Sequence, residues 1–302
     1  MGREEGLEMK ASEWFDRGRY VSIQGHRVFV MDSDSHSEQD LPVLAILHGY
    51  PTSSHDYYRV LDALSEYFRV VIHDHLGLGH SDKPAAFSYA LVEQTDVALE
   101  VWKQLGISSL HVFAHDYGTS IATELLARRE RGICPVALES MVLCNGSVHI
   151  ELAKLRPIQV LLRSRITGPI VAQLSSKDVF KRNMSKLWSN PALLSNDDLD
   201  VMWELLIGNG GRKVLPRITQ YLSDRRLFWH RWVGALQTTD LPLGFVWGAE
   251  DPIVGADVAR VHHEEAPGSQ LAVLEGVGHY PMLEAPERWV QAMLAMIDER
   301  IG

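Results

Sequence analysis

Residues 110–120 read Leu110-His111-Val112-Phe113-Ala114-His115-Asp116-Tyr117-Gly118-Thr119-Ser120. An apolar run suited to a buried strand gives way to a lone carboxylate, and a helical pattern follows. Ala114 and Gly118 stand two residues either side of Asp116. This is the layout of a nucleophile elbow, usually written G-x-S-x-G. Small flanking residues there let the strand and helix backbones approach in a strained turn that lifts the central side chain out at the top of the sheet. Here the central residue is Asp and the first glycine is Ala.

An Asp in that seat implies its own chemistry. A carboxylate suits displacement at a saturated carbon, which leaves an alkyl ester on Asp116. Water must then attack the carbonyl carbon of that ester through a tetrahedral oxyanion, so a base and an oxyanion hole are still required. The plain alternative for Asp116 is a helix N-cap. Taken alone that alternative wins, and the partners elsewhere in the chain reverse the balance.

His279 lies in Glu275-Gly276-Val277-Gly278-His279-Tyr280-Pro281-Met282, directly after an apolar run at 270–274. Loops at the carboxyl ends of parallel strands are where active sites of open α/β sheets gather, so His279 is the expected general base. Asp251, in Trp247-Gly248-Ala249-Glu250-Asp251-Pro252, is expected to orient it, with Glu250 as the fallback. The order nucleophile, acid, histidine is that of the α/β-hydrolases. Oxyanion donors are expected from the backbone N–H of Tyr117 and of Tyr50, the latter in His48-Gly49-Tyr50-Pro51 after the strand-like run Pro42 to Leu47. Asp74, in His73-Asp74-His75-Leu76-Gly77-Leu78-Gly79, reads as part of a structural turn. No helix pattern or G-x-G-x-x-G follows to make it a phosphate loop.

Outward from these motifs, strand-like runs at 42–47, 69–73, 110–114, 140–144, 243–248 and 270–274 alternate with helical patterns. One helix is marked by Leu91, Thr95, Ala98, Trp102 and Leu105, spaced by four and three. Residues 20–30 read as a hairpin about Gln24-Gly25. Strand–helix alternation implies a mostly parallel sheet covered on both faces, an α/β fold. The rhythm breaks at 146–236, which has helical patterns, no strand-like run, and four of the eight tryptophans. We read 1–145 and 237–302 as the core and 146–236 as an inserted helical lid. Trp203 and Trp229 are candidates for the wall of a pocket that takes a small apolar substrate.

The formal charge of −10 argues against nucleic acid as a partner. Cys134 and Cys144 read as free thiols suited to a reducing compartment, so a cytoplasmic location is expected. The N-terminal MGREEGLEMK has no apolar core of a secretory leader, and no run is long enough to span a membrane. The fourteen histidines show no metal-ligand spacing, so neither metal nor cofactor is expected. Oligomeric state is left open.

The stretches HGYPTSS at 48–54, DHLGLGHSDKP at 74–84, AHDYG at 114–118, WGAEDP at 247–252 and GHYPMLEAPE at 278–287 resemble the epoxide hydrolase and haloalkane dehalogenase branch of the α/β-hydrolases. RWVGAL at 231–236 and Asn145-Gly146 look most like the mesoderm-specific transcript proteins and their bacterial relatives. The resemblance implies an α/β-hydrolase fold and an Asp116–His279–Asp251 triad. Dehalogenases of this branch typically carry Trp and Asn where this chain has Tyr117 and Tyr50, whereas an aromatic at the seat of Tyr50 suits an epoxide hydrolase. Epoxide hydrolases also protonate the opening oxygen from lid tyrosines. Tyr221 is the one tyrosine in the lid, with His149 as a second candidate acid. Epoxide hydrolysis is the first expectation. A dehalogenase with atypical halide ligands and a non-catalytic binding protein are the alternatives.

Overall fold

The computed structural model of the protein describes residues 8–33 and 41–298. The reading of the extreme N-terminus as leaderless falls largely on residues outside that range. The central strands are apolar on both faces, which a sheet covered on both sides requires. In β3 (Val43–Leu47), Leu44 and Ile46 enter one apolar layer while Ala45 and Leu47 enter the other. Valines and isoleucines of β4 (Arg69–His73) divide in the same way.

The eight strands form one sheet in the order β1-β2-β4-β3-β5-β6-β7-β8. The hairpin β1 (Gly18–Ile23) and β2 (His26–Asp32) turns at Gln24 and Gly25, both with positive φ, and β2 adds antiparallel to β4. All further pairs are parallel, through β5 (Ser109–His115), β6 (Ala137–Cys144), β7 (Leu243–Gly248) and β8 (Gln270–Leu274). Every strand expected from the sequence is present.

Short helices α1 (Ala11–Asp16) and α2 (Leu61–Ser65) precede α3 (Leu91–Gln104) and α4 (Tyr117–Glu130). Between β6 and β7 a loop at 145–156 leads into α5 (Pro157–Arg163), α6 (Thr167–Leu174), α7 (Lys177–Met184), α8 (Asn196–Ile207), α9 (Gly211–Ile218) and α10 (Tyr221–Thr238), with short 3-10 turns. Helix α11 (Ala256–Glu265) links β7 to β8, and α12 (Pro281–Glu284) and α13 (Pro286–Asp298) follow. Side chains of α3, α4 and α11 share one apolar layer, and those of α2 and α13 the other.

Helix α10 is held to α4 by polar contacts as well as packing. Glu124, buried on α4, accepts hydrogen bonds from Arg231 (2.6 Å) and from the Trp232 indole (2.9 Å). Burying a carboxylate is costly unless it is paired and hydrogen-bonded, and these donors, with Arg128 at 2.9 Å, meet that need. The C-terminal half of α10 therefore lies against the core. Asp74 is also structural: its carboxylate accepts from the backbone N–H of Ser54 and His80, both at 2.7 Å, and joins the loops after β3 and β4.

Candidate active site

Strand β5 ends at His115 and α4 begins at Tyr117, which leaves Asp116 alone in the turn with φ 42° and ψ −103°. That conformation is uncommon for a residue with a Cβ and is the kind of backbone strain found at functional sites. The Asp116 side chain makes no capping bond to α4, so it does not act as an N-cap. Its backbone is pinned instead: its N–H donates to Cys144 O (3.1 Å), and its carbonyl accepts from the Thr119 hydroxyl (2.6 Å). Gly118 brings α4 hard against β3; a Cβ there would stand 2.2 Å from the Leu47 carbonyl oxygen.

The carboxylate is approached from two sides. Tyr50 N–H donates to Asp116 Oδ2 at 3.2 Å. The Tyr50 loop is oriented by His48. His75 N–H donates to His48 Nε2 (3.0 Å), which leaves the proton on Nδ1 to donate to Gly49 O (2.8 Å). Burial pushes the His48 imidazole down, in keeping with a neutral ring. Tyr117 is the first residue of α4, where the N–H has no intrahelical carbonyl partner and the helix dipole favours a nearby anion.

The second approach is by Arg225 of α10. It is buried, donates to the Asp116 carbonyl (2.9 Å) and the Ser120 hydroxyl (2.8 Å), and lies 3.7 Å from Asp116 Oδ1. Its guanidinium also covers the ring of Tyr221 at 4.8 Å. The sequence reading missed Arg225. In Leu222-Ser223-Asp224-Arg225-Arg226 it looks like part of a solvated helix face, and only the packing of α10 on α4 buries it.

His279 and Asp251 are brought together as expected. His279 Nδ1 and Asp251 Oδ2 are 2.6 Å apart, and both side chains are buried. Glu250, the fallback, is exposed. Asp251 Oδ1 accepts from Ile253 N–H (2.7 Å) and Val254 N–H (3.2 Å), and Asn145 Nδ2 donates to Oδ2 (2.8 Å). Asn145 also accepts from Gly248 N–H at 2.8 Å and so ties the end of β6 to β7. The sequence reading noted Asn145 only as a family marker. Burial alone would push the His279 imidazole down. The charge and hydrogen bond of Asp251, with smaller contributions from Asp116 and Asp56, outweigh it, and the net shift is upward.

Asp116 and His279 open onto a cavity of about 110 Å³ with mostly apolar walls from Tyr50, Leu162, Phe180, Trp203, Leu206 and Ile253, among others. Trp203, a candidate from the sequence, is on this wall. Tyr221 is buried with its ring 5.6 Å from that of Tyr50, and it is not itself a wall residue. Its hydroxyl accepts from Gln159 Nε2 (3.1 Å), a side chain that does line the cavity. Burial first, and then the nearby Asp116 charge, raises the Tyr221 phenol, which keeps its proton.

Two expected pocket residues need correction. His149 does not line the cavity: both ring nitrogens are taken, by Glu151 (2.7 Å) and Glu265 (2.8 Å), far along the chain from the Asp116 elbow. Trp229 is 40% exposed and borders a separate surface groove with Ile150 and Arg226. Spaced by four residues from Arg225 and by three from Trp232, it shares their face of α10, yet it opens to solvent in that groove. Among the described residues, no group of three or more His, Cys, Asp or Glu is placed to hold a metal ion.

Comparison with known proteins agrees with this fold. The sequence model described as alpha/beta hydrolase fold matches residues 42–286. A Mycobacterium tuberculosis protein named putative hydrolase LipZ is 39% identical over 285 residues, covering 94% of this chain and 97% of that protein. The mesoderm-specific transcript protein of Mus musculus is 30% identical over 292 residues, covering 94% and 87%. The solved structure of the epoxide hydrolase CorEH superposes with a TM-score of 0.73 at 19% identity, covering 93% of this chain and 98% of that one, a likeness of fold.

Proposed function

Because the chain belongs to the α/β-hydrolase fold family, we propose that it is a hydrolase that works through an alkyl ester on Asp116, with epoxides as substrates and vicinal diols as products. One observation carries this reading: the side chain raised at the elbow is a carboxylate, and one of its oxygens already accepts the Tyr50 N–H. That oxygen, Oδ2, becomes the carbonyl oxygen of the ester and then the oxyanion, so its donor is in place before the reaction starts. Oδ1 attacks the epoxide carbon as the carbon–oxygen bond of the ring breaks. We assign the proton for the alkoxide to Tyr221, which sits behind the cavity wall and reaches it as Gln159, the wall residue bonded to its hydroxyl, gives way. The Tyr50 hydroxyl, pushed up to about 12 by burial, is a second donor on the cavity wall.

His279, oriented by Asp251, then takes a proton from water as its oxygen attacks the Asp116 carboxyl carbon. Collapse of the tetrahedral species breaks the bond from the carboxyl carbon to the product oxygen, which takes the proton left on the new Asp116 carboxyl and leaves as diol, and the His279 imidazolium returns its proton to the Tyr221 phenolate. Helices α5 to α9 act as the lid in this account, and their apolar walls suit a small apolar substrate. A reducing, cytoplasmic setting fits the two unpaired thiols, Cys134 and Cys144. Halide displacement is the second reading, supported by Trp203 on the wall.

A panel of aryl and short aliphatic epoxides, assayed for diols, tests the proposal. Diol formation that is abolished in Asp116→Ala is the expected result. Bromide release from bromoalkanes without diol formation transfers the assignment to dehalogenation. Neither product from folded protein points to a non-catalytic binding fold.

A further inference from the structure

Helices α5, α6 and α7 form the outer wall of the cavity, and their outward faces are unusually apolar. On α6, Gly168 and Ala172 turn inward, whereas Ile170 and Leu174 are 57% and 76% exposed, and Ile166 at the helix start is 81% exposed. These three are spaced by four residues and make one stripe. Val160 and Leu161 of α5 and Val179 of α7 are also exposed. Apolar side chains exposed singly are ordinary, but a stripe of this kind on adjoining helices marks an interaction surface.

The charge around the stripe says what covers it. The chain carries a formal charge of −10, yet residues 157–186 hold six basic side chains and one acid, Asp178. Arg165 directly precedes the stripe and Lys177 lies three residues past its end. Lys177 and Lys181 pair with Asp200, while Arg163, Arg165, Arg182 and Lys186 make no ion pair among the described residues. An apolar stripe rimmed by unpaired bases is the pattern of a helix that lies in the interface of an anionic lipid surface. A second copy of the chain fits poorly, since a two-fold contact would bring two such basic rims together.

We propose that the outward face of α5–α7 docks on an anionic lipid surface and sets the cavity mouth against it. Val179 links the two features, being both 45% exposed and part of the cavity wall. Apolar substrate would then enter from the lipid phase rather than from water.

The test is co-sedimentation of the whole chain with vesicles of phosphatidylcholine containing about a third phosphatidylglycerol, and with pure phosphatidylcholine. Binding to the anionic vesicles at low salt, weakened in high salt, is expected. The variant I166E/I170E/L174E should bind at least about ten-fold more weakly while melting at the parent's temperature, its changes being exposed. R163Q/R165Q/R182Q should lose the preference for anionic vesicles. No partition onto anionic vesicles overturns the proposal, as does equal binding by parent and both variants. A dimer in sedimentation that the triple Glu variant abolishes, without vesicle binding by the parent, assigns the face to a protein contact and also overturns it.

Discussion

At Asp116 the backbone and the side chain share a partner. Arg225 supports both, through the carbonyl at 2.9 Å and the carboxylate at 3.7 Å. Removing the buried guanidinium leaves the Asp116 carbonyl and the Ser120 hydroxyl without their donor, and a buried polar group left unsatisfied typically costs about 1–3 kcal/mol. Arg225→Met should therefore destabilise the fold by roughly that amount, as read from urea unfolding; a loss below about 0.5 kcal/mol would mean the contact is incidental. His279 makes a second prediction. A base acts in its neutral form, and Asp251 raises the imidazole against the pull of burial. The ester-hydrolysis step should thus rise with pH through a midpoint above the ordinary value of about 6.5. In Asp251→Asn burial acts unopposed, so the midpoint should move down, and the rate should fall on the order of 10⁴-fold, as when the acid of a Ser-His-Asp triad is amidated. Single-turnover rates across pH read both effects, and an unmoved midpoint would refute the role of Asp251. Asp116, His279 and Asp251 were legible in the sequence because each sits alone at the end of an apolar run. Arg225 and Gln159 were not, because each is one polar residue in a helical segment where nothing local distinguishes a buried face from a wet one.

Among the elements, the strands were legible throughout, since burial on both faces forces continuous apolar runs. The helical insertion was legible as a gap in that rhythm, but its internal packing was not. His149 shows why. It was expected beside Tyr221 as a second acid, whereas the fold turns it toward the end of α11, between Glu151 and Glu265 and beside the ring of His262 at 5.7 Å. Burial lowers His149, but the two carboxylates outweigh it and the net shift is upward. A histidine raised in the folded state stabilises fully below its unfolded value, about 6.5, and that contribution is lost as pH rises through the folded value. With Glu151 largely exposed, solvent screening limits the clamp to about 1 kcal/mol. His149→Gln should accordingly melt on the order of 2–4 °C below the parent near pH 6 and at the same temperature near pH 9. A gap that is constant across that range would show that His149 is not charged in the folded protein.

For the whole molecule, the fold brings three distant loops to one end of the sheet: residues 48–51 after β3, the elbow after β5, and His279 after β8. The helical insertion closes over them, and α10 carries Arg225 down to the elbow. Under the proposed mechanism His279 is dispensable for forming the covalent intermediate. In a serine hydrolase the histidine must deprotonate the nucleophile before any bond forms, whereas a carboxylate nucleophile attacks without a base to remove a proton. The most direct measurement is intact-protein mass spectrometry of His279→Gln after exposure to a reactive epoxide. The variant should form a stoichiometric adduct that persists and maps to the peptide containing Asp116, and Asp116→Ala should form none. A His279→Gln protein that stays unmodified where the parent turns over the same epoxide would contradict the alkyl-enzyme mechanism.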